Sequence, residues 1–173
     1  MSEMTVIADA SPLIALARIR HLHLLQALFG EVMLTDVVAQ EVLSGGDFAD
    51  AEPVRAAIGI GWLKVTPYNT SATTPTTLTA YLEGLDPGET SSIFWAAELQ
   101  QAGKSPLLIM DEAKGRAVAR SLALEVMGSA GVIAIAKRSG LIPRARPLLE
   151  SLRASGYYLS QTVIDAALKI AKE

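Results

Sequence analysis

The chain alternates short β-branched or apolar runs with segments of helical length, and this order constrains its fold more than any other feature. Five runs have the composition of strands: TVIA (5–8), EVMLT (31–35), WLKVT (62–66), PLLIM (106–110) and EVM (125–127). Helix-length segments such as DVVAQEVL and GETSSIFWAAELQQA lie between them. Strands that alternate with helices favour a parallel sheet covered by helices on both faces. We therefore predict an α/β fold with a central, mainly parallel sheet of about five strands.

Helix-start signals follow several of these runs. Ser11 is predicted to cap a first helix, with Pro12 at the first helical position. Thr35 or Asp36 can cap the helix DVVAQEVL, and Ser160 can cap the helix QTVIDAALKIAK near the end of the chain. These signals set the expected boundaries of the helical layers.

All 173 residues are expected to form a single domain, because a chain of this length can bury one sizeable core. The stretch TPYNTSATTPTTLT (66–79) is rich in Thr, Pro and Ser, which predicts an exposed loop inside that domain. From about residue 144 the pattern is helical, with a first helix over 144–155 that is stopped by Gly156.

Composition excludes several classes of protein. Cysteine is absent, so neither a disulfide framework nor thiolate chemistry is available. The apolar runs are too short to span a bilayer, and the start MSEMTV lacks the layout of a signal peptide. We expect a cytoplasmic protein with no membrane partner.

Charge is divided unevenly along the chain. Residues 31–112 hold twelve acids and three bases, whereas residues 113–153 hold eight bases and two acids. Ordinary solvated helix faces explain this pattern as well as an acidic metal pocket beside a basic surface for a phosphate-rich ligand does. The weakly acidic net charge of -3 argues against strong non-specific nucleic-acid binding but leaves a local site open.

Two acids stand where predicted strands end. Asp9 follows TVIA directly, and Asp111 follows PLLIM in the same way. In open α/β sheets, ligands bind at the carboxyl ends of the strands near a switch in strand order. Neighbouring strands lie about 4.8 Å apart, so two such acids can share one cation.

Two further acids allow a functional and a structural interpretation. Glu41 lies four residues after Val37 in a helix with a buried valine stripe, so it is either near the buried face or at the edge of that stripe. Glu89 in Asp86-Pro87-Gly88-Glu89 fits the third position of a capping box, where it would satisfy a backbone donor. A carboxylate in a first helical turn can also face a pocket.

Carboxylates that are brought together repel one another, and without a cation some of them take up protons. A hard divalent ion such as Mg²⁺ or Mn²⁺ removes that conflict and prefers oxygen ligands. Zinc fits worse, because cysteine is absent and His21 and His23 lie beside leucines, as surface or helix-edge residues do.

The chain resembles the PIN-domain superfamily, specifically a VapC-like prokaryotic subgroup long catalogued as a domain of unknown function. The segments that carry the resemblance cover nearly the whole chain in order. They are VIADASPLIALARI, LTDVVAQEVL, LDPGETSSIFWAAEL, LLIMDEAKGRAVA and VMGSAGVIAIAKRSGLIP, followed by RPLLESLRASGYYLS. The resemblance implies a three-layer α/β/α PIN-like fold and a metal-dependent ribonuclease.

The same resemblance implies the site residues. The family acids that hold Mg²⁺ or Mn²⁺ are matched here by Asp9, Glu41, Glu89 and Asp111. Ser11 matches a small hydroxyl residue two positions after the first acid, and Ser129 in the GSAG turn matches a second hydroxyl position. The sequence departs from toxin-type relatives at Glu89, where Asp is more common, and in the long loop at 66–79.

By resemblance, an endoribonuclease of this kind hydrolyses phosphodiester bonds with one or two metal ions and leaves a 5′-phosphate. Lys114 and Arg116 would offset charge on the phosphate, although an exposed charged helix face is the slightly favoured explanation for both. The implied partners are an RNA substrate, the cognate antitoxin of a VapBC-type toxin-antitoxin pair, and a second copy in a homodimer.

Two alternatives stay open. A PIN-fold binding protein with weak catalysis would act through its apolar helices LSQTVIDAALKIA and HLHLLQALF, although such a protein has no reason to assemble four acids. Other acid-based phosphate enzymes fit less well. A HAD-type phosphatase needs Asp-x-Asp after its first strand, where this chain has Asp9-Ala10-Ser11, and a receiver domain needs an Asp after its third strand, which WLKVTPYN lacks.

Overall fold

The computed structural model describes residues 3–45, 48–68 and 82–173. Within them, five strands form one sheet in the order β3-β2-β1-β4-β5, and every neighbouring pair is parallel. The strands are β1 (Met4–Ala8), β2 (Val32–Thr35), β3 (Leu63–Thr66), β4 (Ser105–Ile109) and β5 (Glu125–Met127). Each lies within one residue of a predicted strand at either end, which confirms the predicted parallel α/β sheet.

Nine helices lie in the described part of the chain. They are α1 (Ala10–Arg18), α2 (His23–Phe29), α3 (Asp36–Gly45), α4 (Phe48–Ile60), α5 (Pro87–Gln101), α6 (Ala113–Ser121), α7 (Ser129–Arg138), α8 (Arg146–Ala154) and α9 (Gln161–Ala171). The chain builds the sheet outward from β1 to β3 and then returns to place β4 against β1. The switch in strand order, where α/β proteins bind ligands, is therefore between β1 and β4.

The central strands are covered on both faces. In β1, Val6 and Ala8 belong to one buried cluster, while Ile7 belongs to a second cluster with Leu108 of β4. Successive side chains of a strand point to opposite faces, so the two clusters are the two faces of the sheet. The first includes buried residues of α1, α7, α8 and α9, and the second includes those of α5 and α6. This is the predicted three-layer α/β/α arrangement.

One helix-start prediction is wrong. Helix α1 begins at Ala10, so its N-cap position is Asp9 and not Ser11, and Pro12 is the third helical residue. The backbone N–H of Asp9 still donates to the Ile109 carbonyl at 2.9 Å, in line with the sheet. Asp9 is therefore the last extended residue before the helix. Ser11 already lies inside the helix, so it cannot take the extended N-cap position.

Other caps are confirmed. The Thr35 hydroxyl accepts from the Val38 N–H at 3.1 Å, and the Ser160 hydroxyl accepts from the Val163 N–H at 3.2 Å. Gly156 has a positive φ of 89° just after α8, as a helix-ending glycine does. Most of the predicted exposed loop, residues 69–79, lies outside the described residues. Across the part of the chain that is described, every helix is too short or too polar to cross a membrane.

Candidate active site

Asp9 and Asp111 lie at the same edge of the sheet. Ala8, the last residue of β1, pairs with Ile109, the last residue of β4. Asp9 follows directly and Asp111 comes two residues after its strand. The register of the two central strands thus places both acids at the carboxyl edge, beside the switch in strand order.

Asp9 is buried, with 2% of its surface exposed. Its Oδ1 has no hydrogen-bond partner among the described residues. The pKa of Asp9 is raised to about 8, mainly by burial and then by the charges of Asp86, Glu89 and Glu41, against a lowering by a hydrogen bond from the Ala10 backbone. A buried carboxylate with one unpartnered oxygen is costly, so the ionised form of this group is unfavourable until a proton or cation joins it.

Asp86, the first residue of the capping box, was not among the predicted site residues. Its charge nevertheless raises the pKa of Asp9, Glu41 and Glu89. The pKa of Glu41 is raised by burial and then by the charges of Asp86 and Glu89. Glu41 reaches them from α3 across Gly88: a Cβ there would collide with Glu41 Oε2 and would lie 3.4 Å from Asp86 Oδ1. The side chain of Glu41 is thus at the exposed rim of the pocket, beside the start of α5.

Glu89 completes a capping box, as its sequence context predicts. Its backbone N–H donates to Asp86 Oδ1 at 2.7 Å, and its own Oε2 accepts from the Asp86 N–H at 3.0 Å. Yet Glu89 is 5% exposed, and its Oε1 lies 3.6 Å from the point that a Cβ on Gly115 would occupy. Burial raises its pKa against the lowering effect of the cap. The carboxylate therefore serves the helix start and the acidic pocket at once.

Asp111 is held by the start of α7. The Ser129 N–H donates to Asp111 Oδ1 at 2.7 Å, and the Ser129 hydroxyl donates to Asp111 Oδ2. The Tyr157 hydroxyl faces the same pair, and burial, the charge of Asp111 and hydrogen bonding to Asp111 raise the pKa of Tyr157. The sequence analysis quoted Tyr157 within RASGYYLS but gave it no role.

Two cations of α6, Arg116 and Lys114, lie near different acids of the site. The guanidinium of Arg116 is close to Asp111: a Cβ on Gly128 would lie 2.7 Å from Asp111 Oδ1 and 3.2 Å from Arg116 Nη1. Burial lowers the pKa of Arg116, as does the charge of Arg120, while Asp111 raises it. Lys114 is exposed beside Gly84, and its charge lowers the pKa of Glu89. Ser11 lines the same cleft as Asp111 and Arg116.

A family model described as a PIN domain matches residues 5–173. The chain belongs to the PIN-domain family. A search of curated proteins gave no significant match, and neither did a search of solved structures. PIN domains are in general nucleases, which makes this chain a hydrolase by class, and they typically use divalent metals.

The donors of this PIN domain fit such a metal in chemistry but do not form a closed cage. No three His, Cys, Asp or Glu side chains within residues 3–45, 48–68 and 82–173 are grouped closely enough to hold an ion as they stand. One carboxylate oxygen of Glu89 accepts a hydrogen bond within its capping box, and Asp111 accepts one from the Ser129 hydroxyl. The unpartnered Asp9 Oδ1 and the raised pKa values of Asp9, Glu41 and Glu89 are nevertheless what mutually repelling carboxylates show without a cation. An all-oxygen donor set suits Mg²⁺ or Mn²⁺.

Proposed function

We propose that this PIN domain is a metal-dependent endoribonuclease that hydrolyses RNA phosphodiester bonds. Asp9, Glu41, Glu89 and Asp111 would hold Mg²⁺ or Mn²⁺. The observation that carries the proposal is the state of Asp9, a buried acid with an unpartnered oxygen and a pKa raised to about 8 among neighbouring acids. The ionised form of such a group is stabilised most by a cation, because a bound ion offsets the repulsion from the neighbouring acids and gives the unpartnered oxygen a ligand bond.

The chain's own residues then have distinct tasks. A bound divalent ion supplies activation of water and stabilisation of charge on the phosphate. Ser129 fixes the orientation of Asp111 through both carboxylate oxygens. Arg116, half-buried beside Asp111, and Lys114, exposed near Glu89, would offset charge on a bound phosphate. Preorganised charges of this kind act most strongly where water is excluded.

The direct test is cleavage of end-labelled single-stranded RNA in Mn²⁺, in Mg²⁺ or in EDTA. Wild type should give metal-dependent products, and Asp9→Asn and Asp111→Asn should give none. Glu150→Gln is the charge control, because it also replaces one carboxylate by an amide, here an exposed one on α8 that is not among the candidate acids. Equal cleavage by all four proteins would trace the products to a contaminant, and cleavage by none would reject the nuclease.

A second candidate is a PIN-fold binding protein that acts through a partner. The observation in its favour is that Glu89 already serves its capping box and that no ready-made group of three ligands exists among the described residues. Calorimetric titration with Mn²⁺ separates the two. Binding that Asp9→Asn abolishes supports the nuclease, and no binding to wild type supports the binding protein.

We further propose that the chain is the toxin of a VapBC-type pair, that it acts as a homodimer, and that a small antitoxin covers its acid pocket. Support comes from the VapC-like sequence segments and from apolar side chains that the described surface leaves exposed, such as Leu141 and Ile170. Co-expression with the product of the adjacent gene tests the pairing. A stable complex that blocks RNA cleavage is expected, and the proposal fails if the two proteins elute separately.

A further inference from the structure

A cleft of about 920 Å³ shares Asp111 and Ser11 with the candidate site but is not lined by Asp9, Glu41 or Glu89. Ser11, Asp111 and Glu112 line it together with residues of β5 and α6. Apolar side chains also line it, among them Ile135 of α7 and Val163 and Ile170 of α9. The cleft therefore combines charged side chains beside the candidate site with an apolar lining from α7 and α9.

Two arginines line this cleft one helical turn apart. Arg116 and Arg120 both project from α6, and neither makes a salt bridge to an acid within the described residues. Their charges repel, since Arg120 lowers the pKa of Arg116. Like charges four residues apart destabilise a helix, so the pair gains from an anion between or across them. Four residues of helix separate them by about 6 Å along the axis, a spacing that suits neighbouring phosphates of one strand.

Two tyrosines line the same cleft as these cations. Tyr157 is half-buried against Asp111, while Tyr158 is 89% exposed at the rim. A large exposed aromatic ring next to arginines is the combination that binds unpaired bases, because every base can stack on a ring while the cations follow the backbone. A duplex keeps its bases stacked inside and offers none to Tyr158.

We propose that this cleft holds the single-stranded RNA that extends from the acid pocket, with Arg116 and Arg120 on successive phosphates and a base stacked on Tyr158. The inference rests on the proposed nuclease function and adds to it the path of the strand and the residues that hold it. Tyr157 connects the acid pocket to the cleft, because it contacts Asp111 and also lines the cleft.

The test measures binding in EDTA, where cleavage is absent, by fluorescence anisotropy of a labelled oligouridine at several salt concentrations. Arg120→Gln should weaken binding and lower the steepness of log Kd against log salt by about 0.7, the value for one phosphate contact on a single strand. Tyr158→Ala should weaken binding roughly 5- to 100-fold with an unchanged salt slope, as lost stacking does. Tyr158→Phe keeps the ring and should bind like wild type.

The matched charge control is Arg55→Gln, an exposed arginine on α4 that pairs with Glu52 near the opposite edge of the sheet. Its salt slope and affinity should equal those of wild type. Arg55, Arg120 and Tyr158 are all exposed, and thermal melting of each variant tests that it folds. Arg120→Gln and Tyr158→Ala proteins that bind as wild type does would overturn the proposal, and so would equal binding of a duplex. Equal displacement by oligoglutamate would assign the cleft to an acidic protein segment and also overturn it.

Failure of the cleft and failure of the nuclease are distinguishable. Asp9→Asn should bind the oligouridine in EDTA at least as tightly as wild type and yet leave it uncut in Mn²⁺. Wild-type cleavage with no effect of the cleft substitutions on binding removes the strand path alone. No cleavage by wild type, with binding still weakened by Arg120→Gln and Tyr158→Ala, removes the nuclease and keeps the RNA-binding cleft.

Discussion

Ser129 holds the Asp111 carboxylate at both oxygens, with its backbone N–H on Oδ1 at 2.7 Å and its hydroxyl on Oδ2. Ser129 is fully buried and is the first residue of α7. The backbone N–H of Ser129 is one of those at a helix start that have no hydrogen-bond partner within the helix, and a negative charge is favoured there. Because β5 pairs with β4 and leads straight into α7, the sheet register itself sets where Asp111 is held.

Ser129→Ala should loosen Asp111 while leaving one donor, the backbone amide, in place. Residues that orient metal ligands typically change metal affinity or activity by about 10- to 100-fold, and we expect a loss in that range for both. Mn²⁺ titration and RNA cleavage measure it. Ser121→Ala is the control, because its hydroxyl donates only to the Val118 carbonyl of its own helix. Unchanged Mn²⁺ affinity in Ser129→Ala would mean that the serine does not orient a ligand.

Gly128→Ala tests the close approach of Asp111 to the turn before α7. Its φ of −94° suits any residue, so the backbone gains no strain. The new Cβ would lie 2.7 Å from Asp111 Oδ1, which the Ser129 amide prevents from moving freely. Misplacement of a reacting group by about 1 Å can cost about 100-fold in rate, and cleavage should fall by that order.

The control for this substitution is Gly59→Ala, where the added Cβ meets open space inside α4. Alanine favours a helix over glycine by roughly 0.5–1 kcal/mol, so the melting temperature should hold or rise slightly and cleavage should not change. Full activity of Gly128→Ala would show that Asp111 can shift without consequence.

Strand positions could be predicted because β-branched and apolar runs are strong local signals. Asp9 and Asp111 could be placed at one edge of the sheet because parallel strands share a direction. The capping box at Asp86 and Glu89 was likewise visible in its own four residues. The start of α1 was not, since both Asp9 and Ser11 have capping chemistry. A hydrogen bond from Asp9 to Ile109, a hundred residues later in the chain, settles which one takes the cap position.

Tyr157 and the acidic role of Asp86 depend on tertiary contacts that no local pattern encodes. Tyr157 reaches Asp111 only because the connection between α8 and α9 returns to the carboxyl edge of the sheet. The charge of Asp86, at the start of α5, raises the pKa of Asp9, at the end of β1. The spacing of residues along the sequence predicts neither the contact of Tyr157 with Asp111 nor the proximity of Asp86 to Asp9.

Glu173 predicts a loss of stability in acid that is unrelated to the active site. Its carboxylate accepts from the Ala145 N–H at 2.7 Å and the Arg146 N–H at 3.3 Å at the start of α8, and the Ala145 hydrogen bond is the main cause that lowers its pKa. Folding therefore gains from the ionised form above its ordinary pKa of 4.5, and this gain disappears as the pH falls through the lower folded value. Glu173→Gln should melt at a lower temperature than wild type at pH 7, and the two should converge in acid. Glu150→Gln, which changes an exposed acid on α8 itself, should show no such difference from wild type.

Asp9 predicts the opposite dependence on pH. Its ordinary pKa of 3.8 rises to about 8 in the folded protein, so between these values the folded state keeps a proton that the unfolded state has lost. Raising the pH through this window should therefore lower the free energy of unfolding in EDTA, by an amount on the order of a few kcal/mol. Asp9→Asn cannot titrate, so its melting temperature should decline less with pH and exceed that of wild type near pH 8.

Mn²⁺ provides the complementary measurement on the same two proteins. An ion that binds only the folded state at 100 times its Kd stabilises it by about 2.7 kcal/mol, and it replaces the proton on Asp9. Saturating Mn²⁺ at pH 8 should therefore raise the melting temperature of wild type and leave that of Asp9→Asn nearly unchanged. Parallel pH curves in EDTA for the two proteins would show that the buried carboxyl is not the source of the instability. An equal rise with Mn²⁺ in both would place the ion elsewhere.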